Sequence, residues 1–203
     1  MGSNMDRREF LKSQLTGSLC VASGLMLPGK LLAGTAPPDV AAAKGGPAAA
    51  TRAAVELLGG MGRFVKKGNR VLIKPNMSFP VPPERASNTH PEVVREIAVM
   101  CKEAGASRVL ILDNPLAPPD QCLEASGIAE ACKPIDAGMV HMVTDESRYK
   151  ASEIAGGVRL TRTDIMKDAL DSDVLIAAPV AKSHSGAGVS LSMKGMMALF
   201  TTG

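Results

Sequence analysis

Three short apolar runs constrain the fold of this chain more than any other feature. Val71-Leu72-Ile73, Val109-Leu110-Ile111-Leu112 and Val174-Leu175-Ile176-Ala177-Ala178 are apolar at every position. A strand with one wet face alternates; a strand that is apolar throughout is covered on both faces. Between the runs lie stretches whose apolar residues recur at helical spacing. Ala48 to Phe64 carries Val55, Leu57, Leu58, Met61 and Phe64. A second helix is capped by Thr89 or His90 and opens on Pro91, where a missing N–H costs nothing. It places Val93, Val94, Ile97, Ala98 and Cys101 on its inner face and stops at Gly105. Strands of this kind alternating with amphipathic helices predict an α/β fold, a mostly parallel sheet with helices on both faces.

The rest of the chain reads less regularly. Gln121 to Cys132 is expected as one helix with Gly127 inside it, and Met139 to Val143 as a strand. Arg148 to Leu160 reads as an irregular hairpin turned at Gly156-Gly157. Thr163 to Leu170 reads as a helix capped by Thr163, with Asp164 in its first turn. After the third apolar run Pro179 ends the ladder. A polar, Gly-rich loop follows, with Lys182, Ser183, His184, Ser185, Gly186 and Gly188, and then an apolar helix beyond Ser192 and Lys194. Strand, Gly-rich loop and helix start are where open α/β folds place ligands.

All three runs end in polar residues, and in a parallel sheet those ends share the carboxyl edge. The first run ends in Lys74 and Asn76, the second in Asp113 and Asn114, the third in Lys182, Ser183 and His184. His90, at a helix start after the first run, is expected at the same crevice. Lys74, Lys182 and Lys194 would make that crevice electropositive and suited to an anionic small molecule or cofactor. The candidate catalytic residues are His90, His184 and Asp113. The histidines would do acid–base or metal-binding work and Asp113 would orient. Lys74, Asn76, Lys182, Ser183 and Lys194 are the candidate ligand-binding residues. Each has an ordinary alternative: a solvated lysine, the turn that Asp113-Asn114-Pro115 signals, or a hydrogen-bonded histidine. It is their convergence that points to a site. Nucleophile elbow and phosphate-loop patterns are absent, since Lys194 is followed by Gly195 rather than Ser or Thr.

Composition narrows the partners. The net charge of +3 is nearly balanced, which argues against a nucleic-acid partner. Aromatic residues make up 2%, too few for a base-stacking platform. Of the four cysteines, Cys101, Cys122 and Cys132 lie beyond the leader described next, and an odd count allows at most one internal disulfide. No Cys-x-x-Cys occurs, so an iron–sulfur cluster would lack a recognisable motif in this chain.

Residues 1–43 read as an address. Arg7-Arg8-Glu9-Phe10-Leu11-Lys12 resembles the twin-arginine export motif, followed by a weakly apolar stretch, Leu15 to Leu32, too short and polar to span a bilayer. Cleavage is expected after Ala36 or within Ala41-Ala42-Ala43. Residues 44–203 are then the α/β domain. Its expected partners are the twin-arginine translocase and an anionic ligand, its location is the periplasm or its equivalent, and it has no permanent membrane span. Oligomeric state and cofactor identity stay open.

Several of these segments resemble one family. Val71 to Asn76, Thr89-His90-Pro91-Glu92-Val93-Val94, Gly105-Ala106, Pro179 to His184 and Ser192-Met193-Lys194 are similar to the family called domain of unknown function 362, in its twin-arginine-exported branch. The match runs from about Val71 to Leu199. Where members carry Lys-Asn, this chain has Lys194-Gly195. The resemblance implies an incomplete domain, cut short at its C-terminus with an exposed apolar face around Met196, Met197, Leu199 and Phe200. It also keeps two alternatives to ligand binding in play: an iron–sulfur or redox accessory protein, and a non-functional truncated copy. More remotely, the motif order is similar to the N-terminal domain of the lactate racemase family. That would turn His90, His184 and Lys194 towards a cofactor or substrate.

Overall fold

The computed structural model describes residues 37–201. Arg7, Arg8, Cys20 and most of the expected leader lie outside the described residues.

A four-stranded parallel sheet forms the centre. β1 (Arg70–Pro75), β2 (Arg108–Asp113), β3 (Val140–Met142) and β6 (Val174–Ala178) lie in the order β3-β2-β1-β6. Val71 sits between Val109 and Val174, and Ile73 between Ile111 and Ile176. Side chains alternate across a strand, so this register sorts the runs onto two faces. Val71, Ile73, Val109 and Ile111 turn to one core, and Leu72 and Leu112 to another. Both faces of β1 and β2 are covered, which is why those two runs show no alternation, whereas β6 at the sheet edge buries Ala178 and leaves Leu175 exposed. Fully burying one such side chain contributes about 1.5–3 kcal/mol.

The first face is covered by helices: α1 (Pro47–Leu57), α2 (Pro91–Glu103), α3 (Pro119–Ser126) and α4 (Ile128–Cys132). α2 buries Val94, Ile97, Ala98 and Cys101, a stripe at helical spacing. Arg52 of α1 pairs with Glu96 and Glu103 of α2, which ties the outer helix to the inner one. Gly105, at φ 90°, closes α2, and a Cβ there would lie 3.2 Å from the Lys67 backbone. The segment expected as one helix over Gln121–Cys132 is two, because Gly127 adopts φ 68° and breaks the ladder.

The second face has a thinner cover. A three-stranded antiparallel sheet is built from β4 (Tyr149–Glu153), β5 (Arg162–Met166) and β9 (Phe200–Thr201). Its Tyr149 and Met166 meet Leu72, Leu112 and Leu199, helped by Ala169 of the short α5 (Lys167–Leu170) and by Met196. This corrects the helix expected from Thr163. Residues 162–166 are a strand, pairing Tyr149 with Met166 and Ile165 with Phe200, and helix begins only at Lys167.

After β6 the loop expected at Lys182 to Gly188 is a tight hairpin, β7 (Lys182–His184) with β8 (Gly188–Ser190). α6 (Ser192–Gly195) and a 3-10 turn, Met196–Leu199, follow. Of the apolar face expected there, Met197 and Phe200 are exposed, Met196 is half-buried, and Leu199 is buried in the second core. Among the described residues no helix is long and apolar enough to cross a membrane.

Candidate functional site

A hollow of about 280 Å³ opens at the carboxyl edge of the parallel sheet. Lys74, Asn76, Phe79, Lys182, His184 and Lys194 are among the residues that line it. Five of these six were expected from sequence, and they come from β1 and the turn after it, the β7–β8 hairpin and α6.

Lys74 continues the β1 face that carries Leu72 and is buried at the floor. Its Nζ lies 2.7 Å from Asp113 Oδ1 at the end of β2 and donates to the Pro75 carbonyl at 2.6 Å. Asp113 is fully buried, and its Oδ2 accepts from the Met77 N–H at 2.6 Å and from the Ser78 hydroxyl at 3.3 Å. A buried carboxylate held this way is a structural anchor: it neutralises Lys74 and pins the loop after β1. Asp113 thus lies behind the wall rather than at the surface of the hollow.

Asn76 is fixed through its main chain. Its N–H donates to Thr89 Oγ1 at 2.9 Å, and its carbonyl accepts from the Thr89 N–H at 2.9 Å. The Thr89 hydroxyl in turn donates to the Ala178 carbonyl at 2.6 Å, joining the ends of β1 and β6. The Asn76 side chain uses Oδ1 to accept from Lys182 Nζ at 2.9 Å, while Nδ2 is buried with no acceptor. Lys182 also donates to the Ser87 carbonyl at 2.6 Å, and its ammonium stands 4.6 Å from the centre of the Phe79 ring. Loss of water holds the Lys182 amine below its ordinary basicity; the nearby Lys194 charge adds to this and Asp113 opposes it.

His184 is two residues on from Lys182 and so shares its face of the hairpin. Its Nδ1 accepts from the Gly186 and Ala187 N–H groups at 3.1 and 3.0 Å. In the neutral ring Nε2 must then carry the proton. Ser183, between them, is exposed on the other face and does not line the hollow. His90 is not there either. Its Nδ1 accepts from the Glu92 N–H at 3.2 Å as the cap of α2, and the ring is exposed. The two histidines therefore do not share a cavity. Among the described residues no group of three His, Cys, Asp or Glu side chains comes together for a metal. Lys194 lines the hollow from α6. Gly195 beside it has φ −62°, and a Cβ there would make only an ordinary contact, 3.5 Å from the Pro179 side chain.

Sequence reasoning missed Phe79 and Asn88. Asn88 holds the Pro-rich loop with three bonds, accepting from the Phe79 N–H and donating to the Phe79 and Val81 carbonyls. That loop carries Phe79 under Lys182. Cys101, Cys122 and Cys132 are buried and free, and burial pushes their thiols up, to about 12 for Cys101 and about 11 for Cys132. A second hollow of about 380 Å³, beside β3, includes Arg108, His141, Arg148 and Asp168, but there Arg148 is already paired with Asp168 at 2.6 Å.

Comparison with known proteins agrees with the family resemblance read from the motifs between Val71 and Leu199. Over 154 residues the chain is 32% identical to a thylakoid-associated protein of Synechocystis sp., an alignment that takes in 73% of this chain and 44% of that protein. The chain thus spans less than half the length of this relative. No solved structure matches it. Residues 71–202, from the first residues of β1 to the end of the antiparallel sheet, match a family described as a domain of unknown function. The chain belongs to that family, DUF362.

Proposed function

We propose that this chain binds a small anion or anionic cofactor at the carboxyl edge of its parallel sheet. The observation that carries the reading is an imbalance of charge. Lys74, Lys182 and Lys194 line one hollow, and the carboxylate behind its wall, Asp113, is already taken by Lys74. Lys182 and Lys194 repel each other, and an anion between them relieves that repulsion in a site where water is partly excluded. Asn76 Nδ2 and the protonated His184 Nε2 add neutral donors for its oxygens. The three described cysteines sit in the core as protonated thiols, and the reading does not draw on them.

The Arg7-Arg8 motif supports export of the folded chain by the twin-arginine route. The thylakoid association named for the relative supports work close to a membrane. Calorimetric titration with sulfate tests the site. Binding should weaken with added neutral salt and disappear when Lys182 and Lys194 are both replaced by Met. Unchanged sulfate binding in that double variant would defeat the proposal.

A further inference from the structure

We propose that the ligand of this hollow is an anionic amphiphile, a single-chain carboxylate with its head between Lys182 and Lys194 and its alkyl tail over Met197 and Phe200. The inference rests on the anion-site reading and names the ligand class. A lysine ammonium has three N–H groups. Lys182 spends two of them, on Asn76 Oδ1 and on the Ser87 carbonyl, and the Phe79 ring stands beside the charge. One N–H remains for a ligand oxygen. Asn76 Nδ2, buried without an acceptor on the same amide that holds Lys182, is a neutral donor to the head. Lys194 brings the second charge. Asp113, the carboxylate that acts on Lys182, is bonded to Lys74 and so leaves the pair of lysines for the ligand.

Much of the remaining wall is apolar. Leu116, Met197 and Phe200 line the same hollow and are exposed, Leu116 by 79% and Met197 by 56%. Apolar side chains exposed singly need no explanation, but these adjoin the charge. Met197 comes three residues after Lys194, so cation and thioether share one side of the turn that α6 opens. Met197 and Phe200 also line a second, more open hollow of about 550 Å³, which continues past Leu160 and Thr163. The Thr163 hydroxyl is spent on the Thr201 carbonyl at 3.1 Å, and Arg162 and Asp164 at the rim carry opposite charges. The second hollow thus meets a tail with no net charge. An inorganic anion would use the lysines and leave this apolar path in water. An alkyl carboxylate covers both, and each methylene it fully buries tightens binding roughly fourfold.

The test is calorimetric titration of the full chain with acetate, hexanoate, octanoate and decanoate, each below its micelle concentration, beside sulfate. Affinity should rise about two- to fourfold per methylene over part of the series, and decanoate should displace sulfate. Decanol, which lacks the charge, should bind about tenfold more weakly than decanoate or worse. The series should flatten in the double variant Met197→Ser, Phe200→Ser, with folding checked by circular dichroism, and weaken in Leu116→Ser. Val158→Ser removes an exposed side chain outside both hollows and should leave the series unaltered. Sulfate binding with decanoate held no tighter than acetate would overturn the inference while leaving the anion site standing. A series unmoved by either set of serine variants would overturn it too, since the tail then lies elsewhere. So would adhesion to phosphatidylglycerol vesicles without uptake of free decanoate, because the apolar wall would then be a membrane contact. Failure to bind sulfate or any carboxylate would remove both readings together.

Discussion

Lys74 and Asp113 form an ion pair of 2.7 Å at the ends of adjacent parallel strands, with both side chains out of water. The pair ties the floor of the hollow to the loop that follows β1, because the same carboxylate holds the Met77 N–H. Asp113→Ala leaves the buried Lys74 ammonium without its counter-charge and the Met77 N–H without its acceptor. It should cost about 3–5 kcal/mol in urea unfolding. Lys74→Met combined with Asp113→Leu should recover much of that loss, since no lone charge is then buried. A double variant as unstable as Asp113→Ala would show that the carboxylate acts mainly through Met77 and Ser78.

Thr89 joins two strands with one hydroxyl. Thr89→Val keeps the shape but strands the Asn76 N–H and the Ala178 carbonyl. The expected loss is about 1–3 kcal/mol per group left unsatisfied. Because Asn76 also holds Lys182, sulfate binding should weaken at a temperature where the variant remains folded by circular dichroism.

The Lys182 amine is held below its ordinary value of 10.5 by burial first and by Lys194 second. In the window between its native value and 10.5 the unfolded chain binds more protons than the native one, so this group makes stability rise with pH. The penalty is full below the native value and is relieved as pH climbs through the window. Anion affinity runs the other way, since the ammonium is lost as pH rises. Sulfate, whose charge is constant over this range, should bind progressively less tightly as pH rises, with the loss beginning below 10.5. Lys182→Met should remove that part of the profile, and an unaltered profile would place the titration elsewhere.

Cys101 and Cys132 have the opposite sign. Their thiols stay protonated in the core, while the unfolded chain ionises them near 9.0. Stability should therefore fall with pH from about 9 upward, continuing towards 11 and 12 as the native thiols in turn ionise. At pH 8 a thiol reagent should leave Cys101, Cys122 and Cys132 unmodified in the native protein and label all three in denaturant. Fast native labelling would mean that the helix layer opens readily.

The sheet was legible because covering β1 and β2 on both faces forced apolar runs at 71–73 and 109–112, a pattern no one-sided strand needs; the run at 174–178 is equally apolar although Leu175 on that edge strand stays exposed. The start of α2 was legible because Pro91 and a capping residue are local chemistry. Thr163 misled because capping residues and β-branched strand residues overlap. The period-2 burial of Arg162–Met166 emerges only when β4 and β9 supply the partners. His90 was placed at the crevice on its position near a strand end, whereas its ring nitrogen is used by the helix it caps. Phe79 had no local signal at all. Its place under Lys182 depends on Asn88 holding a Pro-rich loop, and loop paths are set by tertiary bonds.

Asn76 and Lys182 are separated by 106 residues, and Thr89 and Ala178 by 89. Closures of that length are entropically late events, since the chain must be ordered before such contacts repay it. The hollow is therefore a finishing product of folding. A collapsed chain with its helices on the sheet but its hairpin undocked would have a formed core and no site. Recovery of sulfate binding during refolding should lag behind recovery of secondary structure, which makes ligand capture a reporter of complete folding and selective for finished molecules.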